Sequence, residues 1–243
     1  MVMEKTKFEK FISKYNLGGS CESVLFSVEN GTLSTRAISD DKNVLCSVNA
    51  PSMGFEAGEY PVYETAKLKS LLGVVGEVLS VNTKRSGDKL VGLQFDDGNS
   101  EVTFVLADSS VIPNVPDLKK LPPFDMTIEM NDQFITTFIK AKGALSDVET
   151  FTVMSDGTST AANVILGFSS LNTNRVKINA TTTEAAELKP ISFSAKYLRE
   201  ILSANKDAKS GKLEISSKGL ARTSFQIDGI ESVYYLVQID TKD

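Results

Sequence analysis

The chain has 243 residues, enough for one large domain or two of ordinary size, and 41% of them are hydrophobic, which can fill a packed core. It contains no histidine, which removes Ser-His-Asp and Cys-His nucleophile pairs, histidine metal ligands and the usual general base near neutral pH. Twenty-six Lys and Arg against 31 Asp and Glu give a net charge of −5, and two cysteines are too few for a disulfide framework or a thiolate metal site.

The first predicted element is an amphipathic helix over Met3 to Asn16, where Phe8, Phe11, Ile12 and Tyr15 repeat at helical spacing. Charges run through that segment and leave no apolar stretch of signal-peptide length, so a cytoplasmic location is expected. Strands follow at Val24 to Val28, Thr32 to Ile38 and Val44 to Val48, separated by Asn-Gly and Asp-Asp turn signals, and a second helix covers Glu64 to Leu72. The longest apolar stretch, Leu71 to Val81, is broken by Gly73, Gly76 and Glu77 and falls short of the roughly 18 residues of a spanning helix, so no membrane partner is expected.

Asp108 to Asp125 holds four of the seven prolines, which deny it both ladder donors and helix geometry. This predicts a linker over 111–124 between domains at 1–110 and 125–243. The second half repeats the order of the first. A helix is predicted over Asn131 to Ala144 on Phe134, Ile135, Phe138 and Ile139. Strands come next at Thr150 to Met154, Ala162 to Phe168 and Arg175 to Ala180, then a helix over Ser194 to Lys206 with Ser194 as N-cap. Asp97-Gly98 and Asp228-Gly229 lie 131 residues apart, and Leu68, Leu71 and Leu72 match Leu198, Ile201 and Leu202 at 130. An internal duplication is the preferred reading. Two α+β domains that merely share hairpin turns are the competing one.

Net charge alone argues against nucleic acid, but its distribution argues for it. On helical wheels Lys196, Arg199 and Lys206 fall within about 80° of arc opposite the apolar face, and Lys7, Lys10 and Lys14 within about 60°. Lys67 and Lys69, like Lys140 and Lys142, sit about 200° apart, so at most one of each pair shares a stripe. The four helices, taken as 3–16, 63–73, 131–144 and 194–209, carry 12 basic and 6 acidic residues, and so the remainder carries −11. Such helices can neutralise phosphates without reading bases, while the acidic remainder repels DNA elsewhere. A charge run is also, more blandly, a solvated face.

No phosphate loop, dinucleotide fingerprint or calcium loop is present. Ser39 and Lys42 fit an SxxK pattern without its companion motifs, and the pairs Asp40-Asp41 and Asp96-Asp97 read as turns. Catalytic, cofactor and metal residues are therefore not expected, nor is any cofactor.

The stretch FSAKYLREILSANKDAKSGKLEISSKGLARTSFQIDGIESVYYLVQID, Phe193 to Asp240, resembles the closing unit of DNA sliding clamps, the polymerase processivity factors, and most closely those of T-even-type bacteriophages. SVLFSVENGTLSTRAIS, Ser23 to Ser39, and LKSLLGVVGEVLSV, Leu68 to Val81, are similar to earlier segments of the phage clamp. The resemblance implies an α+β DNA clamp fold with two similar domains, outer antiparallel sheets and inner helices. It further implies a homotrimer closed as a ring around double-stranded DNA, held there non-specifically and topologically in the cytoplasm of an infected host. Lys7, Lys10, Lys14, Lys196, Arg199 and Lys206 would face the duplex, with Lys67 and Lys140 as weaker candidates. A DNA polymerase and a clamp loader would dock beside the linker at Val111, Ile112, Val115, Leu118 and Leu121, which are more apolar than a solvated tether requires. A structural β-rich virion or assembly protein is the alternative function.

Overall fold

The structure is a computed structural model describing residues 2–169 and 173–240. Among the described residues, sixteen strands and four α-helices fall into two compact units. Unit one comprises Met1–Asp40, Cys46–Pro116 and Asp228–Ser232, and unit two comprises Asp41–Leu45, Asp117–Ile227 and Val233–Asp243.

The first half runs β1 (Val2–Glu4), α1 (Lys5–Asn16), β2 (Val24–Glu29), β3 (Thr32–Ile38), β4 (Val44–Pro51), β5 (Gly58–Val62), α2 (Thr65–Leu72), β6 (Val78–Ser86), β7 (Lys89–Asp96) and β8 (Glu101–Val105). The second runs β9 (Met126–Asn131), α3 (Asp132–Ala144), β10 (Thr150–Asp156), β11 (Ala161–Leu166), β12 (Val176–Thr181), β13 (Glu187–Ser194), α4 (Ala195–Ala204), β14 (Ser210–Ser216), β15 (Leu220–Ile227) and β16 (Ile230–Val237). Strand neighbours repeat as the order does. β1-β6-β7-β8 corresponds to β9-β14-β15-β16, and β5-β2-β3-β4 to β13-β10-β11-β12. Every strand pair whose register is defined is antiparallel. A repeat of both element order and strand adjacency is what a duplicated chain predicts, and two unrelated domains sharing turn chemistry would not produce it.

Aromatic packing seats each opening helix. Phe8, Phe11 and Tyr15 of α1 meet Phe26 of β2 edge-on at 6.1, 5.5 and 5.6 Å, and Phe8 also meets Phe95 of β7. In α3, Phe138 meets Phe151 of β10 at 5.5 Å and 89°. These rings are at most 5% exposed, so each helix commits its apolar stripe to the core and turns its polar stripe outward. Leu17 and Gly18, at φ 45° and 66°, turn the chain left-handed and end α1.

Three departures from the sequence expectation have physical causes. The segment Val2–Glu4 is a strand and not helix, because Met3 pairs with Leu79 and its backbone donors and acceptors are used across the sheet. β5 and β13, where the sequence expectation has no element, each contain a proline, Pro61 and Pro190, and both lie last in their strand order, where a missing donor is tolerated; β13 also shifts register against β10 between Val153 and Ser155. β11 ends at Leu166, not Phe168, because Gly167 at φ 78° turns with its α-carbon so close to the Asn174 backbone that a side chain would collide. From Ile112 to Asp125 there is no regular element, in keeping with the prolines.

Candidate nucleic-acid interface

Within each unit the two helices pack beside one another, α1 with α2 and α3 with α4, so the basic residues of a unit belong to one pair of neighbouring helices. In α4 the wheel expectation holds as far as the helix runs, but the helix ends at Ala204 and not at Lys206, because the chain leaves helical geometry at Asn205. Tyr197, Leu198, Ile201 and Leu202 are buried, while Lys196, Arg199 and the following Lys206 are exposed. The Ser194 hydroxyl accepts from the Tyr197 amide, fixing the helix start. Lys196 Nζ lies 5.4 Å from the Tyr197 ring centroid, and Arg199 is 3.5 Å from the neighbouring Glu200 carboxylate.

In α3 the choice between the two lysines is made by the helix end. Lys142 donates to the carbonyls of Leu145 and Ser146 and so serves as a C-terminal cap, whereas Lys140 is exposed on the helix surface. Asn131 caps the other end, its side chain accepting from the Phe134 amide at 2.8 Å. In α2 both Lys67 and Lys69 are exposed, and the helix start is held by Glu22, whose carboxylate accepts from the Ala66 amide.

In α1 the expectation needs a correction. Lys7 is exposed and Lys10 half-buried, but Lys14 is only 2% exposed, and Tyr15 and Asn16 beside it in the last turn are buried as well. An ammonium so placed cannot contact a phosphate. The two outer lysines also have carboxylate neighbours: Glu4 lies 3.1 Å from Lys7, and Asp228 accepts from Lys10 at 2.7 Å. Lys10 holds the Asp228 carboxyl below its ordinary value, with Lys14 and Lys7 adding to the effect. Sequence reasoning missed Asp228 because its partner is 218 positions away and its Asp-Gly context speaks only of a turn.

Near the linker, a depression of about 390 Å³ is lined by Leu25, Arg36, Ile112, Pro113 and Val115, with hydroxyls from Ser27, Ser34 and Thr35. The Arg36 guanidinium donates to the Pro116 carbonyl and pins the linker's first part to unit one. Of the five linker residues singled out from sequence, Ile112 and Val115 line this depression. Val111 and Leu118 are exposed at 52% and 40%, and Leu121 is half-buried. Asp108 opens the linker, with its carboxylate held well below its usual range by Lys89 at 2.7 Å and the Ser110 amide. Asp125 closes it, held low by the Ser217 amide.

Of the acidic pairs, Asp96-Asp97 serves its turns as expected, whereas Asp41 accepts both from the nearby Asn43 and from the Tyr197 hydroxyl of α4 at 2.8 Å, a long-range contact that turn chemistry does not announce. Asp97 accepts from the amides of Gly76, Asn99 and Ser100, which lowers its pKa, and Asp96 accepts from Gly98. Among the described residues no group of three His, Cys, Asp or Glu could hold a metal ion, and no helix is long and apolar enough to cross a membrane. Both cysteines, Cys21 and Cys46, are unpaired and buried. β8 and β12 each end a strand order, with Val105 of β8 73% exposed.

No protein-family model matches the chain, and no curated protein matches it by sequence. Among solved structures it is similar to A. fulgidus PCNA bound to the C-terminal region of FEN-1, with a TM-score of 0.77 at 14% identity, over 100% of this chain and 98% of that one. The chain therefore has the α+β DNA clamp fold along its whole length.

Proposed function

We propose that this protein is a sliding clamp: it encircles duplex DNA and tethers a replicative DNA polymerase, conferring processivity without catalysis of its own. The carrying observation is the full-length clamp fold combined with exposed cations on every helix, Lys7, Lys67, Lys140, Lys196 and Arg199, with the exposed Lys206 just beyond the end of α4. Lysine suits a sliding contact, because a point charge on a flexible stem exchanges one phosphate for the next with little geometric demand.

Ring closure is proposed to use the terminal strands β8 and β12, each of which has a neighbour on only one side in its strand order. With two units per chain, a six-unit ring needs three copies, a homotrimer of about 79 kDa under closed symmetry. Polymerase and clamp loader are proposed to dock short apolar segments in the depression at Ile112 and Val115. In the similar structure the C-terminal region of FEN-1 is bound to A. fulgidus PCNA, so a protein of this fold accepts a terminal segment of another protein. The resemblance to T-even-type phage clamps suggests the cytoplasm of an infected bacterium as the setting.

The test is topological. Loaded on nicked circular DNA, the protein should stay bound through gel filtration, and cutting the circle once should release it. Equal retention on circular and linear DNA would refute encirclement and favour an ordinary binding or assembly protein.

A further inference from the structure

The hairpin joining β15 to β16 sends a carboxylate onto the basic face of α1. Asp228 stands in the left-handed conformation at φ 52°, followed by Gly229 at 77°, and this turn carries the side chain to Lys10 Nζ at 2.7 Å. The pair is not sequestered. Its side chains are 37% and 54% exposed, and both are assigned to unit one. Lys14 and Lys7 add to Lys10 in holding the Asp228 carboxyl below its ordinary value.

We propose that Asp228 is an internal stand-in for a DNA phosphate, occupying Lys10 in the absence of DNA and giving it up when a phosphate arrives. This rests on the sliding-clamp reading and adds a regulator to its DNA surface. A carboxylate and a phosphate offer a lysine the same anionic oxygen, and an exposed pair is weak enough to exchange. Each DNA contact through Lys10 must first break the Asp228 contact, so part of the attraction is cancelled. The duplex is then held loosely enough to move. Arg199 of α4 faces a longer contact, 3.5 Å to Glu200, and Lys196 lies over a ring, so α4 provides the firmer grip.

The experiment is a fluorescence-anisotropy titration of a labelled duplex with the intact protein at about 50 and 200 mM salt. The Asp228→Asn variant keeps the turn, because Asn accepts the left-handed conformation. It should bind duplex more tightly than the parent at low salt. If one phosphate contact per chain is gained, the advantage should shrink about 3.5-fold between the two salt concentrations, from a slope change of about 0.9. Adding Lys10→Gln to Asp228→Asn should erase the gain. Asp88→Asn, on an exposed turn away from α1, removes the same charge and should produce none.

Equal gain from Asp88→Asn, or a gain that survives Lys10→Gln, would overturn the proposal. No gain from Asp228→Asn, while K196E/R199E/K206E abolishes binding, would overturn it and leave the clamp reading standing. Full binding by that triple variant would instead overturn the DNA-facing assignment on which both rest.

Discussion

A cation on or beside an amphipathic helix is informative only where its charged head reaches solvent. Lys196 and Arg199 of α4, and Lys206 just past its end, meet that condition, so reversing all three to Glu should change stability little, by about 0.5 kcal/mol or less per site. Clamp-dependent processive synthesis should fall sharply, most at low salt where screening is least, with an unchanged oligomer by light scattering. Lys42 and Lys212, which are exposed but not on helices, should tolerate reversal. Lys177 lies on the terminal strand β12, where reversal would also test assembly, so it makes a poor control. Carboxylates behave differently. Asp97 is held below its ordinary pKa by amide donors, so its contribution to stability is present above the normal carboxylate range and is lost as pH falls through it. Asp97→Asn should flatten the pH dependence of Tm between about pH 5 and pH 2, because Asn cannot titrate.

At the scale of elements, helix ends set local stability. Replacing Asn131 by Ala leaves the Phe134 amide without its partner and should cost about 1 kcal/mol in urea denaturation. Helices were the most legible elements in the sequence. Phe8, Phe11, Ile12 and Tyr15 define a core stripe by spacing alone, and α4 divided into faces as its wheel requires. β1 was not legible, because its three residues are extended only through pairing with β6. Lys14 misled for a related reason: a wheel gives direction but not depth, and the last turn of α1 is buried, with Tyr15 beside it packed against Phe26 and bonded to Thr65. The Lys142 cap, by contrast, had a local signal in a cation one turn from the helix end.

At the scale of the whole molecule, the duplication was readable from offsets near 130, since each half must solve the same packing problem with the same order of elements. Assembly is less legible, because a terminal strand becomes an interface only in the presence of a second copy. Placing a charge on β8 through Val105→Asp should leave the circular dichroism spectrum intact, as that side chain is 73% exposed. Light scattering should then report a mass near the 26.3 kDa of one chain, in place of about 79 kDa for the parent. A parent that remains monomeric at tens of micromolar would count against the ring.

The burial of Cys21 and Cys46 has a practical consequence for observing such a ring. Both thiols are withdrawn from solvent, and the sequence contains no other. Thiol-selective dyes should therefore leave the folded protein unlabelled, so one cysteine introduced at an exposed position would carry the only fluorophore. Opening and closing of the assembly could then be followed by energy transfer between copies without first stripping the native cysteines from the core.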